Sequence, residues 1–413
     1  MPIDTNWKPH IHGKPTAQGG LNARVYASLK RRKQSPTDAA GVRDAPARFD
    51  KVDGVPDVDR DLAVSVRDQS SPTLSVPTPS FGSVLRTIVS HRGVQTTVAL
   101  WVAGYAVISW LGQGSLPFAR PAIARLPFAL QIAAPTIGLI EIFVLMVLAF
   151  FLTRKRVIPD MAARAPDRRV AWRETVLVLA YAVLGQVGGW IVGPALGYGP
   201  FSFHIADAVF GHTAMPEPTA VWVWVLYNFL IFAAAPYLYF RRHYTDAELN
   251  LRSTSRRKDA LLIFIVLAIE AAFQLSAFDE SILSLSPYEM LLGAPLRLLV
   301  IFIGTVMPTT VLIYAILLPR YLKLTGSAIS AVLLGGLTYA AGNIVGGWSA
   351  VDSPQDTVLS LIFVLLTYFG PGMIQSVLTL RTGNAWAQAL GYHVIAPHMI
   401  PDAPFAAEIF GIA

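Results

Sequence analysis

The 413-residue chain has no cysteine. That absence excludes disulfides, thiolate metal ligands, thiol nucleophiles and prenyl or palmitoyl anchors, and it leaves the redox compartment open. Charge is scarce as well: 14% of residues are charged against 54% hydrophobic, and mean hydropathy is +0.50. A soluble domain cannot hide so much apolar surface, so the composition predicts an integral membrane protein. The chain shows no Gly-rich phosphate loop, no Ser-His-Asp arrangement and no nucleic-acid module, so ATP-driven, phosphoryl-transfer and nucleic-acid roles have no support. The start of the chain is polar, contains Asp4 and has no apolar core segment, so neither a signal peptide nor a mitochondrial presequence is expected.

What is present divides into two materials. Residues 1–92 are rich in Pro, Ser, Asp, Arg and Gly without apolar periodicity, which predicts a largely disordered basic tail. Within it Leu21, Val25 and Leu29 recur every four residues beside Arg24 and Lys30 to Lys33. This reads as an amphipathic helix over 20–33 for an anionic leaflet or a partner, or as a solvated basic patch. Residues 93–413 predict an all-α, polytopic membrane domain. Eight apolar segments lie near the roughly 20 residues that cross a bilayer, at 94–112, 129–152, 172–193, 220–240, 259–277, 296–318, 328–346 and 357–380. A short ninth helix follows at 384–396, and the stretch 116–128, with Arg120 and Arg125, is expected to lie flat in the interface.

Connections after segments two, four and six carry fifteen Lys and Arg, among them Arg156, Arg164 and Arg320, against three on the other connections. That bias predicts a cytoplasmic N-terminus, with loops 193–219, 278–295 and 347–356 on the far side, as in a bacterial inner-membrane protein. The net charge of +7 is read the same way rather than as affinity for nucleic acid.

The stretch 307–343, MPTTVLIYAILLPRYLKLTGSAISAVLLGGLTYAAGN, is two apolar helices joined by a basic turn at Pro319 to Lys323. With FGPGMIQSVLTLRTGNAWAQALGYH, it resembles the CAAX-protease and bacteriocin-processing (CPBP) family of intramembrane metalloproteases, over about 297–397. The resemblance implies a zinc-dependent membrane endopeptidase with two glutamates, an arginine and two histidines. Those family positions are occupied here by Thr309 and Thr310, by Tyr314, and by Asn343 and His393. Tyr339 falls on the family's aromatic position and Pro397 on an expected asparagine. A threonine hydroxyl is no base near neutral pH and an asparagine amide is a poor transition-metal ligand, so family chemistry is not expected to survive intact.

Other groups can rebuild a site. If 202–212 were helical, His204 and Asp207 would share a face with His212 one turn on. His393, His398, Asp402 and Glu408 are expected on the same outer side, so a composite metal site across both groups is geometrically open. Glu141 and Glu270 lie inside apolar segments, where a carboxylate is costly and faces the bundle interior, either for function or as a hydrogen-bonded packing group.

Three functional expectations follow. The first is a non-catalytic CPBP-like protein, a scaffold or accessory subunit binding lipids and a membrane-protein partner. The second is a metalloendopeptidase with substituted ligands, which requires Glu141, Glu270 or His204 to reach the region of Asn343 and His393. The third is a transporter or lipid-binding protein whose carboxylates line a path.

Overall fold

The computed structural model describes residues 80–112, 114, 116, 127–204, 216–277, 282–344, 350 and 352–412. Most of those residues are helical, with no strand among them. The tail to residue 79 with its 20–33 segment, most of the 116–128 stretch, and Asp207 and His212 lie outside the described residues.

The first helix, α1 (Phe81–Ser90), starts before the boundary expected at 92. Ser80 caps it, accepting from the Ser83 amide, and Phe81, Leu85 and Val89 form a one-sided apolar stripe that period-3.6 spacing allows. Its Phe81 ring meets those of Phe150 and Phe151. Next come α2 (Arg92–Leu111), α3 (Phe128–Thr153), α4 (Arg168–Ala195), α5 (Pro218–Arg241), α6 (Arg256–Ala277) and α7 (Pro287–Thr325). After these follow the shorter α8 (Ala328–Gly342) and then α9 (Pro354–Thr382). All of these except α1 and α8 are long and apolar enough to cross a membrane, giving seven candidate spans and a multi-pass membrane protein. The segment expected at 328–346 is a helix of 15 residues, about 22 Å at 1.5 Å per residue, short of a roughly 30 Å hydrocarbon core.

α7 is the central element, and every residue of its π-helical stretch Thr310–Leu317 is buried. Gly326, at φ 65°, ends it in the left-handed conformation that glycine tolerates and turns the chain into α8. α8 and α9 approach closely because both present glycine at the contact. A Cβ on Gly372 would lie 2.8 Å from Gly336 Cα, and one on Gly336 would lie 2.9 Å from the Phe369 carbonyl oxygen. Small residues at such a crossing let dispersion contacts replace the hydrophobic drive that lipid removes.

One end of the bundle is tied by arginines, Arg320 buried and Arg156 and Arg164 half-buried. Arg320 bonds Glu174 through Nε at 2.8 Å and lies over the Phe240 and Tyr244 rings at 4.8 and 5.0 Å. Arg156 pairs with Asp259, which also accepts from Asn384 at 2.9 Å. Arg164 donates to Asn250 at 2.6 Å and to the Gly383 carbonyl at 2.7 Å. After α9, the expected ninth helix is one α-helical turn, Trp386–Gln388, continuing as two π-helical turns, Ala389–His393 and Ile395–Met399. A further helix, α10 (Ile400–Ile409), then packs against α7.

Candidate metal centre

Three histidines from two distant parts of the chain meet in the interior. The candidate ligand nitrogens of His204, His393 and His398 all lie within 4.8 Å of one another, and all three residues are buried. Tetrahedral zinc with bonds of about 2.05 Å separates its ligand atoms by about 3.4 Å, so small side-chain rotations close the set. Each ring is brought there by a different local cause.

His204 sits on the described stretch after α4, and an irregular buried backbone needs partners for its polar groups. Side chains supply them. Gln186 on α4 donates to the Phe201 carbonyl at 3.0 Å and accepts from the Phe203 amide at 2.8 Å, as a neighbouring strand would. Trp224 on α5 donates to the Ser202 carbonyl at 2.7 Å. Asn228 amide hydrogens point at the carbonyls of Ser202, Phe203 and Gly304, at 2.9, 3.1 and 2.9 Å. The last of these belongs to the π-helical turn Phe302–Val306 of α7, so one amide ties the His204 loop to the central helix.

His393 and His398 are five residues apart. On an α-helix that spacing places two side chains about 140° apart. A π-helix has a wider turn and brings i and i+5 to nearly the same side, and such turns concentrate at functional sites. Pro397 contributes no backbone donor to a tighter helix here. The result is ring centroids 5.3 Å apart for His393 and His398, 5.9 Å for His204 and His393, and 5.0 Å for His204 and His398.

The surroundings orient the rings as metal ligands require. Thr309 Oγ1 lies 3.0 Å from the carbonyl oxygens of both Thr305 and Val306, and 3.3 Å from His393 Nδ1. Its proton is used on the main chain, so it accepts from Nδ1–H and leaves the His393 Nε2 lone pair facing the centre. Tyr339 Oη lies 3.1 Å from that Nε2 and 3.2 Å from His204 Nε2. His398 Nδ1 is 3.6 Å from Asp402 Oδ2, and Asp402 is itself paired with buried Arg297 at 2.6 Å. Burial, then the nearby His398, His393 and Arg297, hold the His204 pKa well below the ordinary histidine value, so the ring is neutral and competent as a ligand.

The residues singled out in the sequence separate into three groups. Thr309, Tyr339, His204, His393 and His398 come together. Thr310, Tyr314 and Asn343 are buried without joining the ring contacts: Thr310 accepts from Gln388 at 3.0 Å, and the Asn343 amide donates to the Tyr339 carbonyl at 2.7 Å. Glu141 and Glu270 meet each other elsewhere in the bundle. Beside the centre, Phe203 lines a cavity of about 1090 Å³ between α4, α7 and α8, with Gln186, Leu312, Gly342 and Ile344 on its walls.

Three imidazoles with a tyrosine hydroxyl and a carboxylate nearby form a donor set that suits zinc. Scans against protein-family models, curated proteins and solved structures each found no match for this chain.

Proposed function

We propose that the protein is a membrane-embedded zinc protein that carries out metal-assisted hydrolysis at the His204, His393 and His398 centre. The observation that carries this reading is the approach of three buried histidine nitrogens to within 4.8 Å of one another. Zinc on three protein ligands with one position open acts as a Lewis acid and activates water near neutral pH, so the site does not depend on the glutamates of the family pattern. Thr309 holds the His393 ring, Asp402 stands 3.6 Å from His398 Nδ1, and Tyr339 offers a hydroxyl to a substrate carbonyl or to water. The apolar cavity at Phe203 gives a bilayer-borne substrate an approach. A distant relation to the CPBP family is part of the proposal, supported by the meeting of Thr309, Tyr339 and His393, three positions the resemblance singles out. So is the orientation with the arginine-rich end and the N-terminus in the cytoplasm of a bacterial cell.

The second reading is a non-catalytic scaffold or accessory subunit for a membrane-protein partner. It is favoured by Thr309 and Thr310, where hydroxyls bonded within the bundle replace carboxylates, and by Asp402, whose charge is committed to Arg297.

Elemental analysis of the protein purified in nanodiscs from its native membrane, with mass spectrometry of whatever accompanies it, separates the two. Hydrolysis requires about one zinc per chain, lost on substituting His204→Ala, His393→Ala or His398→Ala. A metal-free protein that takes up no zinc on dialysis, with a stoichiometric partner, replaces the first reading with the second.

A further inference from the structure

The membrane domain holds a second buried polar group, remote in composition from the histidine centre. Glu141 on α3 and Glu270 on α6, 129 positions apart in the chain, place their carboxyl groups within hydrogen-bonding reach of each other. Glu270 is fully buried and accepts from Gln274 Nε2 at 2.8 Å through Oε1. The oxygens left over, Glu270 Oε2 and Glu141 Oε1, are buried and have no donor. Neither carboxyl has a Lys, Arg or His partner among the described residues.

Two carboxylates in contact in an apolar interior cannot both be ionised, and two acceptors facing one another need a hydrogen between them. A single proton shared between the two carboxyls supplies that hydrogen. The groups facing the pair from neighbouring elements leave that conclusion intact. Tyr392, from the π-helical turn Ala389–His393, is the titratable side chain that senses both carboxyls. On α2, Tyr105 is occupied as the acceptor of Thr136 at 2.8 Å. On α9, Arg381 is bonded to Thr153, three turns along α3 from Glu141. At the other end of α6, Asp259 is held by Arg156, and in α10 Asp402 is held by Arg297. Gln274, which contacts Glu270, is half-buried within one turn of the end of α6 at Ala277.

We propose that Glu141 and Glu270 form an exchangeable proton-binding site inside the membrane domain, holding one proton between their carboxyl groups. The site is independent of the zinc reading and stands or falls without it.

The test uses dicyclohexylcarbodiimide, which enters membranes and reacts with protonated carboxyls, on the full-length protein in nanodiscs, read by mass spectrometry of the intact chain and its peptides. One adduct per chain is expected, mapping to Glu141 or Glu270. Its rate falls roughly tenfold per pH unit above a midpoint, as a one-proton titration requires. The doubly substituted Glu141→Gln, Glu270→Gln protein keeps shape and hydrogen-bonding capacity. It is expected to unfold at a similar temperature, keep the same zinc content and lose the adduct. Absence of labelling, a rate that shows no fall up to about pH 11, or labelling that survives in the double variant overturns the proposal. Suppression by sodium at fixed pH also overturns it, by identifying a cation site instead.

Discussion

At the scale of single residues, the proposed zinc centre rests on hydrogen bonds that face away from the metal position. Thr309 gives its proton to main-chain carbonyls and so accepts from His393 Nδ1, and this fixes which ring nitrogen is free to bind. Thr309→Val keeps the shape and removes that acceptor. Outer partners of this kind are worth 10- to 100-fold in metal affinity. We expect zinc affinity, measured by competition with a chromophoric chelator, to fall by at least about tenfold. The thermal midpoint in the absence of metal should change little, since one such bond contributes about 1 kcal/mol. Thr309→Ser should restore affinity, and equal affinity in wild type and the valine variant would show that Thr309 does not orient the ring. Asn228 acts one step further out. Its amide meets three buried carbonyls, so Asn228→Ala strands acceptors at a cost of about 1–3 kcal/mol for each one left unpaired. It should both lower the thermal midpoint and release the His204 loop, seen as loss of zinc; a variant with unchanged midpoint and zinc content would remove Asn228 from this role.

At the scale of elements, apolar length made the long helices legible, because nothing but a helix satisfies its own backbone in lipid. The site was legible only in fragments. His393 stood out through the resemblance, and His204 and His398 were visible as members of two groups expected on one side of the membrane. Their convergence was hidden for two physical reasons. The first is that Phe201–His204 is an irregular loop held by side chains of α4 and α5, so the helical spacing expected over 202–212 does not hold at the three residues described there. The second is that helical periodicity assumes 3.6 residues per turn, and the π-helical turns around Pro397 bring together residues which that period separates. Inserting one alanine between Ala396 and Pro397 should therefore set the two histidines at i and i+6, about 120° apart on a helix. Zinc should be lost while far-ultraviolet circular dichroism stays near wild type; retention of zinc would show that this register does not place the ring. The α8–α9 contact supplies a packing test. Gly336→Ala brings a methyl against the Phe369 carbonyl oxygen at 2.9 Å and Met373 at 2.9 Å. Overpacking of this kind costs about 1–3 kcal/mol, read as a lower unfolding temperature, and an unchanged temperature would mean the two helices separate at no cost.

At the scale of the whole molecule, the two ends of the bundle do different work. One end gathers basic residues, and three that bias the topology, Arg156, Arg164 and Arg320, are also structural, bonded to Asp259, Asn250 and Glu174. The side chains on which the proposed orientation rests therefore also lock α3, α4, α6, α7 and α9 together there. The histidine centre is built from the other direction, by the loop after α4, the later part of α8 and the segment that follows α9. Orientation thus decides which compartment the centre faces, and the lack of native cysteine makes it directly measurable, since any introduced thiol is unique. Arg252→Cys lies on an exposed connection at the arginine-rich end, and Asp352→Cys is exposed just before α9. With intact cells, a membrane-impermeant maleimide should label Cys at 352 and reach Cys at 252 only after the membrane is opened. The reverse pattern would turn the molecule over and place the centre toward the cytoplasm. Labelling of both positions from one side would mean that α8, at about 22 Å, enters the bilayer without crossing it.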